Sequence, residues 1–223
     1  MNINTFNAIK SRFGNAASWA IWKSGSDKDK LTSNMDVDGL FDLSTNVSLL
    51  GELRPNIVMV GYNFSVPIDG FPPFHNFHIC EENVHHRTVW NASKLRFSFQ
   101  NTPYWGAYMT DIIKDYVQPD SSQVSVETDS LSTHFQIFRE ELEMLQKAQD
   151  EPNEPPFIIA FGNEVFKLLR DNLNTNEYSQ LVQIPHYAYL GNGCANHAEY
   201  RQTVLAQLPS IGAISNVGVT SKI

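Results

Sequence analysis

Two short polar segments, each placed just after an apolar run, contain the side chains best suited to chemistry. The first is Gly61-Tyr62-Asn63-Phe64-Ser65, which follows the run 57–60. The second is Pro185-His186-Tyr187-Ala188, which follows the run 181–184. In open α/β sheets, ligands bind in the crevice outside the carboxyl ends of the strands. An amide side chain at one strand end and an imidazole at another therefore predict a ligand site.

The apolar runs that precede these segments have the character of buried strands. Residues 57–60 and 157–161 are short, continuous and rich in β-branched or aromatic residues, as strands covered on both faces should be. Apolar residues at helical spacing predict helices at 3–13, after Gly162 and at 200–208. Because strands and helices alternate, we predict an α/β fold, a three-layer αβα sandwich with a mainly parallel central sheet.

The middle of the chain contains a third strand, a helix and a long loop. The pattern of residues 106–114 predicts a strand that ends in polar residues, and a polar insertion follows at 120–132. The next helix has an apolar face and a face of mostly outward glutamates: Phe135, Phe138, Leu142 and Leu145 against Glu140, Glu141 and Glu143. Residues 65–105 have no strong periodic pattern and predict a long loop, a kind of segment that is often functional.

The composition is that of one acidic globular domain. The chain has 223 residues, 42% of them hydrophobic, which suits a single domain over 1–223 with an N-terminal extension (1–50) and a fraying tail (210–223). A net charge of −8, with no Lys/Arg-rich run, disfavours strong nonspecific binding to nucleic acid or anionic membranes. Without a signal segment, a membrane-length apolar stretch or a cysteine framework, we expect a cytoplasmic protein that makes no membrane contact.

Four segments resemble, in their order along the chain, the motifs of the uracil-DNA glycosylase superfamily. Segment 61–65 is similar to the first motif, Gly-x-Asn-Pro-Gly, and Pro73-Phe74 is similar to a Pro-Phe that supplies a base-stacking aromatic ring. Residues 108–114 resemble the strand that carries a base-reading asparagine, and 184–187 resemble the second motif. The resemblance spans about residues 55–208 and implies a uracil-DNA glycosylase-like fold and a DNA-repair hydrolase that needs no cofactor.

The resemblance also implies a role for each residue. Asn63 orients a water beside the sugar, and His186 donates a hydrogen bond to the negative charge that develops on the departing base. Phe74 or Tyr62 stacks on a base turned out of its helix. The implied substrate-binding residues are Gly61, Tyr62, Phe74, Asp111 and Tyr187.

The sequence departs from the family pattern in both motifs and at the base-reading position. Phe64 and Ser65 replace the proline and glycine of the first motif, and Tyr187-Ala188 replaces the Pro-Ser that follows the histidine. Asp111 stands in place of the asparagine. An ionised carboxylate only accepts hydrogen bonds, so it suits a base with an amino group unless burial raises its pKa. These differences favour an exposed or single-stranded base over uracil in a duplex.

Other interpretations of these residues remain open. Gly61 can form a turn, Asn63 can cap a helix, and His186 can bond to the backbone of a turn. The chain can be a non-catalytic member of the fold that binds a nucleobase, or one that binds a protein partner through its acidic surface. It can also be a metal-dependent hydrolase whose ligands lie in one loop, although their spacing matches no standard zinc pattern: His75, His78, Cys80, His85 and His86.

Overall fold

The computed structural model describes residues 1–23, 39–64, 72–78, 86–117, 128–149 and 154–210. In chain order its elements are α1 (Ile3–Phe13), β1 (Ala17–Trp19), α2 (Leu49–Glu52), β2 (Arg54–Phe64), α3 (His86–Phe99), β3 (Ala107–Val117), α4 (Thr128–Lys147), β4 (Phe157–Phe161), α5 (Asn163–Asn172), β5 (Gln180–Ile184) and α6 (His197–Gln207).

The strands form one five-stranded sheet in the order β1-β3-β2-β4-β5. Strand β1 pairs antiparallel with β3, and the other three pairings are parallel. The carboxyl ends of β2, β3, β4 and β5 therefore meet at the same edge of the sheet. The predicted α/β class with a mainly parallel sheet is confirmed.

Side chains alternate across the sheet and divide the interior into two cores. Along β2, Val58 and Val60 pack into one core, whereas Ile57 and Met59 pack into the other. Helices α1, α4 and α5 contribute buried residues to the first core, and α3 and α6 contribute to the second. This arrangement is consistent with a three-layer sandwich. We refer to the two sides of the sheet as the α4 face and the α6 face.

The N-terminal segment is built into the same sheet and core. Asn2 caps α1 by accepting a hydrogen bond from the backbone N–H of Thr5 at 2.9 Å. Phe6, Ile9 and Phe13 of that helix are buried, as their helical spacing predicts. β1 then adds an edge strand beside β3.

Two predicted boundaries differ from the structure. β2 continues to Phe64, so Gly61 and Asn63 lie inside the strand rather than in a turn behind it. Residues 65–105 are not one long loop, because α3 occupies His86–Phe99. The buried residues of α3 include four polar or charged ones, so it lacks the apolar periodicity that identifies a helix in a sequence: Ser93, Lys94, Arg96 and Ser98. Residues 24–38 of the predicted N-terminal extension and most of the predicted tail lie outside the described residues.

In the parts of the chain that the structure describes, no helix combines the length and the apolar character needed to span a lipid bilayer.

Candidate functional site

The residues singled out in the two polar segments lie at the carboxyl edge of the sheet. In the parallel register of β2 and β3, Gly61 is opposite Asp111 and Asn63 is opposite Ile113. Successive side chains of a strand point to opposite faces of the sheet, and Tyr108 and Ile112 belong to the core of the α4 face. Asp111 therefore lies on the α6 face. The end of β5 is tied to this edge by the N–H of Gly162, which donates to the carbonyl of Ile184 at 2.8 Å.

Gly61 and Asp111 are in close contact across the two strands. A Cβ atom added to Gly61 would collide with Oδ1 of Asp111, and it would lie 3.7 Å from the ring of Phe77. Asp111 is buried, and its Oδ2 accepts a hydrogen bond from Nδ2 of Asn76 at 3.0 Å. The absence of a side chain at position 61 therefore provides the space that the carboxyl group occupies.

Burial raises the pKa of the Asp111 carboxyl group to about 7. The hydrogen bond from Asn76 and the positive charge of Lys114 act in the opposite direction, and Glu141 raises the pKa further. Asp111 thus changes between its neutral and ionised forms near neutral pH. Groups with strongly shifted pKa values of this kind are concentrated at functional sites.

Asn76 is held in one orientation by three hydrogen bonds. Its Nδ2 also donates to the carbonyl of Ala16 at 3.0 Å, and its Oδ1 accepts from the N–H of Phe77 at 3.0 Å. Phe74 and Phe77, on either side, have φ values of 66° and 67°. This left-handed conformation is unfavourable for bulky residues and persists only where the surroundings impose it, most often at functional sites. Sequence reasoning missed Asn76, which has no motif of its own.

An aromatic wall borders the carboxyl group on the α6 face. The ring of Tyr187 contacts the ring of Phe161 edge-on, with the centroids 5.2 Å apart. It also contacts the ring of Phe77 edge-on, with a centroid distance of 6.5 Å. Burial is the largest cause of the raised pKa of the Tyr187 phenol, and the negative charge of Asp111 adds to it. Tyr187 is therefore neutral and close to Asp111. Planar apolar surfaces of this type suit the face of a heterocycle.

His186 is neutral, and its hydrogen bonding defines its tautomer. Burial, helped by the positive charge of Lys94, lowers the pKa of its imidazole to about 4. Nδ1 accepts a hydrogen bond from the backbone N–H of Ala188 at 3.1 Å, so the proton of the neutral ring is on Nε2. The ring stacks on Tyr187 with a centroid distance of 4.2 Å. His186 thus presents an uncharged N–H donor beside the aromatic wall.

The loop that carries His186 is anchored at both ends. The hydroxyl group of Tyr200 donates to the carbonyl of Pro185 at 2.8 Å. The buried ammonium group of Lys94 donates to the carbonyls of Tyr189 and Cys194 at 3.2 and 3.1 Å, and it lies 5.1 Å from the centre of the Tyr200 ring. These contacts join α3, α6 and the loop, and they fix the position of the imidazole.

Asn63 lies two residues beyond Gly61 on β2, at the same carboxyl edge. Its side chain is half-buried, and its Nδ2 donates to the carbonyl of Phe64 at 2.8 Å. A carboxamide does not titrate, so Asn63 can orient a water molecule but cannot deprotonate it. Ser65, the last residue of the predicted first motif, lies outside the described residues.

Two of the predicted substrate-binding residues are on the other side of the sheet. Phe74 is completely buried among Phe6, Trp19 and Phe41 in the core of the α4 face. Tyr62 is half-buried and packs against that same core. The ring that the structure places beside Asp111 is that of Phe77, three residues after Phe74. We call the residues that are brought together the strand-end cluster: Gly61, Asn76, Phe77, Asp111, His186 and Tyr187.

The predicted histidine loop lies only partly within the described residues. His78 is fully buried, and its Nε2 hydrogen-bonds to the carbonyl of Trp19 at 3.1 Å. Cys80 and His85 lie outside the described residues, as does the side chain of His86. Among the residues that are described, no three His, Cys, Asp or Glu side chains come together as metal ligands would.

A serine–histidine pair lies elsewhere in the fold, but its hydrogen bonds indicate a structural role and not a catalytic one. Oγ of Ser93 lies 2.8 Å from Nε2 of His197, and both residues are buried. The Ser93 hydroxyl donates its proton to the carbonyl of Trp90 at 2.8 Å, so it accepts from His197. A serine with this hydrogen-bond direction is not activated as a nucleophile.

No protein-family model matches this sequence, and no curated protein matches it.

Proposed function

We propose that this protein is a divergent relative of the uracil-DNA glycosylases that binds an exposed nucleobase in the strand-end cluster and hydrolyses its N-glycosidic bond. The observation that carries the proposal is the hydrogen bond from the Ala188 N–H to Nδ1 of His186. It leaves an uncharged N–H donor on Nε2, beside aromatic rings that suit a base. A donor of this type stabilises negative charge that develops in a transition state.

Different side chains act at the two ends of the N-glycosidic bond. As the bond between the sugar and the base nitrogen breaks, negative charge develops on the base and positive charge on the sugar. Nε2–H of His186 donates to the base, and the carboxamide of Asn63 orients the water whose oxygen joins the sugar carbon. The water proton leaves to solvent or to the released base. Phe77, rather than Phe74, stacks on the base in this arrangement.

The surface next to the cluster suits single-stranded nucleic acid. Tyr189 and Leu190, on the loop after His186, are 47% and 48% exposed. An exposed aromatic side chain such as Tyr189 provides a sequence-tolerant stacking surface for an unpaired base. The loop lacks the Pro-Ser of the family motif, so we expect an exposed base, rather than one inside a duplex, to be the substrate.

The test is base release from single-stranded oligonucleotides that carry uracil, hypoxanthine, xanthine or an ordinary base, read as strand cleavage at abasic sites in alkali. His186→Ala and Asn63→Ala should each lower the rate by about 10²–10³-fold. Asn56→Ala is the matched control, because Asn56 is an exposed asparagine at the other end of β2. Release of no base from any single- or double-stranded substrate would contradict glycosylase activity.

A second candidate is a protein that binds a nucleobase without cleaving it. Burial makes the His186 imidazole a weak base, its Nδ1 already accepts the Ala188 N–H, and Asn63 does not titrate, so neither side chain is suited to remove a proton from water. Oligonucleotide binding that depends on Phe77 and Tyr187, without base release, would establish this alternative.

A further inference from the structure

The side chain of Lys94 is completely buried, and its surroundings suit the charged form. Nζ donates to the carbonyls of Tyr189 and Cys194 at 3.2 and 3.1 Å, and it lies 5.1 Å from the centre of the Tyr200 ring. Two carbonyl oxygens and one aromatic ring match the three N–H groups of an ammonium ion. A neutral amine has a lone pair, and no described residue donates a hydrogen bond to Nζ. Lys94 is therefore a buried cation.

This cation has no counter-ion within the described ranges. The chain has 24 acidic residues, yet burial lowers the pKa of the ammonium group and no carboxylate in these ranges raises it. The titratable groups that interact with it are uncharged near pH 7, since burial raises the pKa of the Cys194 thiol and lowers the pKa values of the His186 and His197 imidazoles to about 4. A buried charge without a partner is strongly destabilising. Natural proteins retain such costs mainly at functional sites.

The positive charge of Lys94 acts on the imidazole of the strand-end cluster. Burial is the largest cause of the low pKa of His186, and the charge of Lys94 is the second. His186 is partly exposed, and its Nδ1 accepts the hydrogen bond from Ala188. Its Nε2 makes no hydrogen bond to a described residue. The Nε2–H group is thus available to a ligand, and it lies within the positive field of the ammonium group.

We propose that Lys94 is a positioning residue for base release, which acts through His186 by holding the imidazole as a neutral donor and by favouring negative charge on the departing base. This inference rests on the glycosylase function proposed above. Lys94 lies in α3, outside the four motif segments. Its charge is in place before the reaction begins, so it stabilises the developing anion without any rearrangement of the protein.

The experiment compares the unmodified protein with Lys94→Met, which nearly keeps the length of the side chain and removes its charge. The substrate is a single-stranded oligonucleotide with uracil, hypoxanthine, xanthine or an ordinary base, whichever base the unmodified protein releases fastest. At about pH 8, Lys94→Met should release this base more slowly by about tenfold or more, a smaller loss than that of a donor that contacts the base. Lys167→Met, at an exposed position of α5, is the matched control and should retain the unmodified rate.

The pH dependence of this loss distinguishes the effect of the charge from structural support of the loop. In the unmodified protein His186 is mostly neutral at about pH 5, because its pKa is about 4. Without the ammonium group that pKa rises, so more of the ring becomes imidazolium at about pH 5 and supplies the missing positive charge. The loss in Lys94→Met should therefore shrink severalfold on acidification. Asp111 titrates near pH 7 in both proteins, so its effect cancels in the ratio of the two rates.

The outcomes separate the inference from the function on which it rests. A rate loss that is equal at both pH values would mean that Lys94 only supports the loop, and it would overturn the inference but not the proposed function. Release of no base by the unmodified protein would overturn the proposed function itself. His197 also interacts with Lys94, so the recovery should persist in Lys94→Met/His197→Gln. If Lys94→Met does not fold, the ¹⁵N shift of Nζ in the unmodified protein decides, and a neutral amine at neutral pH would overturn the inference.

Discussion

Gly61 and Asp111 lie opposite each other on two parallel strands, and an oxygen of the aspartate occupies the space that any side chain at position 61 would need. The glycine is therefore required by the carboxyl group and not by a turn, since β2 continues past it to Phe64. This contact fixes the position of Oδ1 in the strand-end cluster, so it can be tested by filling the space.

Gly61→Ala should destabilise the protein by about 1–3 kcal/mol, because the added methyl group overpacks a buried site and displaces the carboxyl group of Asp111. The measurement is the denaturant midpoint of unfolding. Gly51→Ala is the control, since a Cβ atom at Gly51 has no neighbour within 4 Å. Equal midpoints for the two variants would contradict the close contact.

Lys94→Met should raise the pKa of His186 from about 4 toward its ordinary value of 6.5. Burial, the larger cause, remains, so the rise should be partial. ¹⁵N NMR titration of the imidazole measures the change and also reports the tautomer. Lys167→Met, at an exposed position of α5, should leave the titration unchanged. A pKa that does not move in the Lys94 variant would show that the ammonium group does not act on the imidazole.

The free energy of unfolding should fall as the pH decreases from about 6.5 to about 4. Burial lowers the pKa values of His78, His186 and His197 to about 3, 4 and 4, so the unfolded chain binds protons on all three before the native protein does. Asp111 opposes this over the same range, because its raised pKa makes the native state bind a proton first. Each net proton contributes about 1.4 kcal/mol per pH unit.

Chemical denaturation at several pH values measures this slope. His197→Gln should make it shallower, because it removes a proton that the unfolded chain binds before the native protein does. Asp111→Asn should make it steeper, because it removes the proton that the native protein binds first. Slopes that change in the other directions would contradict the assigned pKa shifts.

Glu141→Gln should destabilise the protein by about 3–5 kcal/mol, the usual cost of removing one partner of a buried ion pair. Glu141 accepts hydrogen bonds from Tyr108 and Thr110 at 2.6 and 2.9 Å, and it pairs with Lys114. Glu143→Gln, at an exposed position of the same helix, should cost less than about 0.5 kcal/mol. Thermal or denaturant unfolding distinguishes the two, and a similar small loss in both would contradict a buried network.

Several elements followed from local pattern alone. The apolar spacing in α1 and the run 157–161 predicted a helix and a buried strand, and both are confirmed. Helix α4 also buries the predicted apolar residues Phe135 and Phe138. The prediction that its glutamates face outward was wrong at Glu141, however. This carboxylate accepts hydrogen bonds from polar groups of β3, which are distant in sequence.

Within the candidate site, residue type determined the possible chemistry, and tertiary structure determined which residues come together to perform it. The sequence alone placed Gly61, Asp111 and His186 at strand ends of one predicted sheet, because strand periodicity and turn residues are local signals. It could not distinguish Phe74 from Phe77. Two phenylalanines three residues apart have the same local preferences. Both have a left-handed backbone, and the packing around the segment that joins them decides which face each enters. The protonation states of Asp111 and His186 likewise depend on burial and neighbouring charges, which arise only when distant segments fold together.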